Sequence, residues 1–272
     1  VQIGQMLESS DPRERIAAFE ELPADHARSA LQRTDDPDPQ VRAALLGAAM
    51  RLDRAHDVEM ESLRRDLEHR DNDLRRRAIR VLWGRTEQAA WTELAAALSD
   101  PDPQVRHLAC EGLGHLGDAG VREAASRLAD PSTHVAEAAL RAVALADTPL
   151  ARDLLREELR SRVRDASIGF LALNGLSAIA DPPRYIGLGL ESFVRRSRGL
   201  AFRTLELLEE SSVMRIVDRA LRYPSSRTAS DALEVLANLG DRKASVLLIL
   251  LLEDRPAEEK IPEIARNVPE PN

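Results

Sequence analysis

Cysteine occurs once in this chain, at position 110. A lone thiol excludes an intrachain disulfide and an all-cysteine metal cage, and makes a reducing compartment, the cytoplasm, the default expectation. Long apolar runs are missing as well. The longest, VLLILLL at 246–252, has seven residues, against roughly 20 for a membrane-spanning helix. Lysine is confined to Lys243 and Lys260 beside 36 arginines, which reads as genomic base composition rather than as function. Aromatic residues are 3% of the chain, few for stacking nucleic-acid bases. Strand signals are nearly absent, with no sustained alternation of apolar and polar residues. The chain also opens at Val1 without an initiator methionine or a leader and closes on PEPN, so it is read as an excised segment of a longer protein.

What is present is a globular composition that repeats itself. Hydrophobic residues make up 43% and charged residues 31%, with a net charge of −8, outside the disordered range. Setting TDDPDPQVRAALLGAAMRLD (34–53) over SDPDPQVRHLACEGLGHLGD (99–118) aligns Asp-Pro-Asp-Pro-Gln-Val-Arg without a gap. With the Val of that motif as anchor, equivalents fall at Ile16, Val41, Leu74, Val105, Val135, Ile168, Leu200 and Thr228. Their spacing of 25–33 residues is that of solenoid units. Small or apolar residues recur four, eight and eleven positions after most anchors, as at Ala109, Leu113 and Leu116, which keeps one helix face apolar. A turn follows, and then a second apolar-striped segment such as Val213, Ile216, Val217, Ala220 and Leu221. The units predicted are 11–34, 35–69, 70–99, 100–129, 130–160, 161–193, 194–224 and 225–252, with 253–272 as a C-terminal tail or linker. Asp36-Pro37, Asp100-Pro101 and Asp130-Pro131 are predicted to cap helix starts, Asp as acceptor and Pro at the first helical position. Gly117 and Gly240 are placed for the left-handed residue after a helix.

EGLGHLGD at 111–118 contains G-x-G-x-x-G. That spacing holds a dinucleotide only where a strand enters the glycines and a helix opens after them. Gly112, Gly114 and Gly117 instead fall on the second half of a repeat's first helix and its cap, where another repeat has Ala48, Met50 and Asp53. Close approach of a neighbouring helix is the expected role.

The wording DPDPQVRHLACEGLGHLGD resembles HEAT repeats, in particular the subclass of PBS-lyase HEAT-like repeats, over about residues 11–252. The resemblance implies an all-α fold, a right-handed α-solenoid (superhelix) of about eight helical hairpins, with the second helices lining a concave face. It also implies a stacked Asp/Arg ladder through Val41-Arg42, Leu74-Arg75 and Val105-Arg106. Residues 227–259, through DALEVLAN at 231–238, are similar to the last HEAT units of bacterial proteins that join a nucleotide-translocase-like transporter to a cyclic-nucleotide-binding domain. Such repeats individually carry no activity. The expectation is a non-catalytic scaffold for protein–protein interaction or interdomain connection, the cytosolic part of a larger, transporter-linked bacterial protein. A phycobilin lyase-type or other maturation factor and a DNA-binding HEAT-like protein are the alternatives.

No cofactor, metal or catalytic residue is expected. His107, Cys110 and His115 share a window, but His115 lies more than two helical turns from His107, and a metal needs about four convergent ligands. Nucleophile-elbow, Walker and His-Glu-x-x-His signatures are missing. Two surface features remain. Residues 152–222 carry 13 Arg against 10 acids, while residues 1–136 carry 18 Arg against 25. Arg152, Arg156, Arg160, Arg162, Arg195, Arg196 and Arg198 are therefore the candidate basic face toward an acidic partner or an anionic membrane surface; overall acidity argues against nucleic acid. Val246, Leu247, Ile249 and Leu250 belong to a helix apolar all round, the candidate docking end for a flanking domain or second subunit.

Overall fold

The computed structural model describes residues 2–85, 87–177, 179, 183–209, 214, 242–253 and 255–268, and every regular element among them is helical. The anchor Thr228, the turn at Gly240-Asp241, the segment 213–221 apart from Met214, and the stretch 231–238 lie outside the described residues. Contacts divide the chain into two units, 1–146 and 147–272.

Unit 1 opens with α1 (Gln2–Leu7) and continues as α2 (Pro12–Glu20), α3 (Ala27–Leu31), α4 (Pro39–Arg51), a 3-10 turn (Ala55–Asp57), α5 (Met60–Leu67), α6 (Asn72–Trp83), α7 (Gln88–Ala97), α8 (Pro103–Gly114), α9 (Gly117–Ala125) and α10 (Thr133–Leu145). The first helices of successive pairs form one row, α2 on α4 on α6 on α8 on α10, and α5, α7 and α9 form a second. Each helix therefore buries its stripe against sequence neighbours, which is the α-solenoid arrangement. The anchors Val41, Leu74, Val105 and Val135 are fully buried. Around them Ala48, Ala49, Ala78, Ala109, Ala138 and Ala139 are also fully buried, and their small side chains bring neighbouring backbones close.

The helix starts correct the capping assignment by two residues. In place of Asp36, Asp100 and Asp130 the cap positions are Asp38, Asp102 and Ser132, and the carboxylates of Asp38, Asp71 and Asp102 accept from Gln40 N–H, Asp73 N–H and Gln104 N–H at 2.8, 2.9 and 2.7 Å. In each tandem Asp-Pro-Asp-Pro it is the second Asp that caps, because only the second Pro occupies the first helical turn. The first Asp is left for another task, described below. The helix ends follow one rule. The three residues with left-handed φ among the described residues are Asp53 (53°), Gly117 (62°) and Asp147 (46°), each twelve positions after an anchor. Asp and Gly are among the residues that tolerate that conformation.

The glycines of 111–118 fill spatial roles. A Cβ on Gly114 would lie 2.9 Å from the Ala142 backbone, and one on Gly112 would meet the Trp83 ring at 2.5 Å. Trp83 is seated there by its Nε1–H, which donates to the Leu108 carbonyl at 2.9 Å. Cys110 is fully buried beside them. Burial, with the nearby Asp130 charge, pushes its thiol up to about 12. The native protein should therefore resist DTNB at pH 8 and react with one equivalent only in denaturant; rapid labelling of the native protein would contradict this packing.

Unit 2 contains α11 (Pro149–Ser177), α12 (Arg184–Leu208), α13 (Arg242–Leu252) and α14 (Ala257–Asn267). Two features depart from the sequence pattern. α11 is one helix of 29 residues, passing without interruption through the 160/161 position assigned as a unit boundary. No proline or glycine falls between Leu150 and Ile168 to stop it. Its buried stripe runs through Leu155, Leu159, Val163 and Ala166, and the anchor Ile168 is 45% exposed. The second departure is the tail, where residues 257–267 form α14, packed on α13 and α11. Lys260 on α14 donates to the Glu253 carbonyl at 2.9 Å and sits 5.3 Å from the Phe170 ring centre.

Candidate functional site

The polar groups buried in unit 1 form a ladder between repeats. Arg15 donates to the Asp36 carboxylate at 2.7 and 3.0 Å. Arg75 grips Asp100 with both oxygens at 2.8 Å, and Arg106 grips Asp130 at 2.8 and 2.9 Å. These acceptors are the first Asp of the Asp-Pro steps, freed from capping. Each also accepts the N–H two residues on, from Asp38, Asp102 and Ser132 at 2.9, 2.8 and 2.9 Å. The arginines reach back too: Arg42 and Arg106 donate to the Asp36 and Asp100 carbonyls at 2.7 and 2.8 Å. Asp100 thus holds Arg75 of the preceding repeat by its carboxylate and Arg106 of its own by its carbonyl. Fork-shaped guanidinium–carboxylate pairs of this kind fix geometry as well as charge.

One rung departs from the pattern. In the third repeat the position two before the cap is His69, whose Nδ1 accepts from Asp71 N–H at 3.1 Å. An imidazole in that role cannot accept a guanidinium. Arg42 turns instead to Asp66 on α5, at 2.8 Å with both side chains buried, while the His69 carbonyl still accepts from Arg75 at 2.9 Å. The row stops at Asp130, because the residue after the anchor Val135 is Ala136. A parallel set of links joins the caps: Asn72 and Arg76 donate to the Asp102 carboxylate at 2.7 and 2.6 Å.

Burial works to raise the carboxyls of Asp36, Asp102 and Asp130, but hydrogen bonds from Arg15, Arg76 and Arg106 and from backbone N–H groups hold all three below the ordinary value of 3.8. A carboxyl lowered in the folded state adds stability above its unfolded pKa and loses it as pH falls through the folded one. The urea midpoint should therefore be insensitive to these groups above about pH 5 and fall steadily below about pH 4. A midpoint level down to about pH 2.5 would contradict the ladder.

The predicted basic face lies on α11 and α12. Arg152, Arg156 and Arg160 are met by Asp147, Asp153 and Glu157 at 2.7, 3.2 and 3.2 Å, all exposed. Arg162 is buried between Glu158 and Asp165. Arg195 is exposed and Arg196 half-buried, and Arg198 donates to the Leu251 carbonyl at 3.4 Å. The structure thus brings local carboxylates to the α11 arginines, which lowers the net field of that face. The docking end is corrected outright. Leu247 and Leu250 are buried in the core of unit 2 among Leu159, Val163, Ala201, Leu205 and Ile264, with Val246 and Ile249 packed against that core. The folded-back tail, which no apolar run announced, supplies Ile264. Of the metal trio, Cys110 is buried, His107 Nδ1 lies 3.1 Å from the His134 carbonyl, and His115 is exposed at the helix end. Among the described residues no group of three or more His, Cys, Asp or Glu side chains is placed to hold a metal, and no helix is long and apolar enough to cross a membrane.

The chain matches no curated protein. Among solved structures, an engineered protein from the Northeast Structural Genomics Consortium is 16% identical, with a TM-score of 0.44, over 97% of this chain and 71% of its own. A second engineered protein from that source is 17% identical, with a TM-score of 0.34, over 97% and 96%. The family model described as HEAT repeats matches residues 60–130 and 92–172. The helical pairs joined by the Arg75–Asp100 and Arg106–Asp130 rungs lie within the stretch that matches the HEAT-repeat model.

Proposed function

We propose that the chain is a non-catalytic HEAT-repeat scaffold for protein–protein interaction or connection between domains, the cytosolic part of a larger bacterial protein. One observation carries this reading. Of the buried charged residues of unit 1, Arg75, Asp102 and Asp130 hold one repeat to the next, and Arg42 and Asp66 tie together the two helices of the second repeat. Chemistry needs buried charge aimed at a substrate, whereas here it is paired within and between repeats. What the stack offers outward is a long surface of alternating charges whose neighbour contacts flex by small increments. The motif at 34–53 and 99–118 supports a place in the PBS-lyase HEAT-like subclass, and the stretch 227–259 supports linkage to a transporter.

Crosslinking mass spectrometry on the protein in its source cells tests the reading. The expected result is a reproducible set of links from unit 1 to one protein or to a flanking domain. Two results would overturn it. The first is covalent transfer of a bilin to a phycobiliprotein subunit, read as an absorbance change, which would make it a maturation factor. The second is a DNA gel shift at about 150 mM salt, weakened at higher salt and by reversing Arg195, Arg196 and Arg198 to Glu, which would make it a DNA-binding protein. We expect neither.

A further inference from the structure

Exposed apolar side chains in this molecule are concentrated in one place. Of the nine large hydrophobic residues exposed among the described residues, Ile168, Ile179, Tyr185, Ile186, Leu188 and Phe193 fall within 26 positions. They lie on the distal half of the hairpin made by α11 and α12. The two helices run antiparallel in a definite register, with Gly169 against Phe193 and Val194, and Gly187 facing Leu176. At its base the hairpin is covered: Leu159, Val163 and Ala166 of α11 and Ala201 and Leu205 of α12 share a core with α13 and α14. In the distal half Ile168 of α11 and Tyr185, Ile186 and Leu188 of α12 are exposed among the described residues. Two helices alone cannot bury all of their apolar side chains; bundles do so by adding further helices.

The chemistry of the missing helices is constrained by charge. Between Asp165 and Glu191 only Asp181 and Arg184 are charged, in a chain that is 31% charged overall. A highly charged partner surface would lose its solvation there and find nothing to pair with. Lipid is disfavoured as well, since Arg184, the first residue of α12, lies at the turn end of the hairpin, the part that would enter the hydrocarbon first. An identical hairpin meets neither objection, being uncharged on the same face and bringing Tyr and Phe, which interfaces favour, against their like. The six side chains present on the order of 600 Å² of apolar surface, so that pairing two copies removes about 1,200 Å², the lower bound for a specific interface. We propose that the distal halves of two α11–α12 hairpins pair across a two-fold axis, joining two copies of the chain through a four-helix arrangement. A closed dimer requires the same patch on both copies, which identical hairpins supply.

Light scattering coupled to size exclusion, on the full chain loaded between about 1 and 100 µM, tests this. The wild type should rise with concentration from 30.1 kDa toward twice that mass. Leu188→Glu and Tyr185→Glu change residues 67% and 76% exposed, so they should keep the wild-type circular dichroism while remaining at the mass of one chain throughout. Leu188→Met should dimerise like the wild type. A wild type that stays at one chain's mass at every concentration overturns the proposal, whether or not it binds vesicles or another protein. So does a dimer that both glutamate variants leave intact.

Discussion

Asp130→Ala is expected to destabilise the protein by about 3 kcal/mol, the largest effect of any single side-chain truncation on the ladder. The Asp130 side chain is 1% exposed, and its two oxygens receive both donors of Arg106 and the Ser132 N–H. Removing it strands a guanidinium that is itself 13% exposed. That remnant of water contact places the cost at the lower end of the range for breaking a buried pair. Much of the loss is the penalty of an unpaired charge, so Arg106→Met in the same chain should restore about 1.5 kcal/mol relative to the sum of the two single changes. The exposed pair Arg156–Asp153 provides the contrast: truncating Asp153 should cost under about 1 kcal/mol. Urea unfolding of the four variants measures all of this. A cost for Asp130→Ala no larger than for Asp153→Ala would remove the ladder from the account of stability.

Gly120→Ala should cost about 2–3 kcal/mol, although it adds one methyl group. A Cβ there would lie 2.0 Å from the Leu113 carbonyl oxygen and 2.9 Å from the carbonyl carbon. Both atoms are backbone of α8, so neither can step aside as a side-chain tip would. Helix α9 must then move away from α8, opening the contacts of the buried Val121 and Ala124. Gly199→Ala should act with the opposite sign. It lies in the interior of α12 with nothing within 4 Å of its Cβ direction, so alanine should stabilise by about 0.5–1 kcal/mol through helix propensity and a less flexible unfolded chain. Equal effects from the two substitutions would show that the α8–α9 spacing is not as close as described.

The stack was legible where one residue type has one physical task. Val41, Val105 and Val135 must be buried, and the Val-Arg step at Val41 and Val105 sets Arg42 and Arg106 in register; their acceptors were not legible, because the sequence pattern assigns Asp36, Asp100 and Asp130 to capping. The tandem Asp-Pro was misread because both steps satisfy the local rule for a helix start, and only the neighbouring arginine decides which Asp is spared. Asp66 escaped for a related reason: nothing local marks it, since it is recruited only because His69 has taken an Asp's place. Unit 2 was legible in class but not in register. With neither glycine nor proline between Leu150 and Ile168 to stop α11, the thirty-residue period carried the anchor at Ile168 past the end of its validity. Leu247 and Leu250 were recognised as apolar, but which surface covers an apolar helix depends on distant partners such as Val163, Ala201 and Ile264, which no local pattern names.

The central claim is that unit 1 is held together by links between neighbouring repeats rather than by one shared core. Native-state hydrogen exchange on the full chain carrying Asp130→Ala tests it most directly. Amides of α8, α9 and α10 should lose more than about tenfold in protection, while those of α2 and α4 stay within about twofold of wild type, as a one-dimensional stack requires. Loss of protection by the same factor from α2 to α10 would contradict the claim.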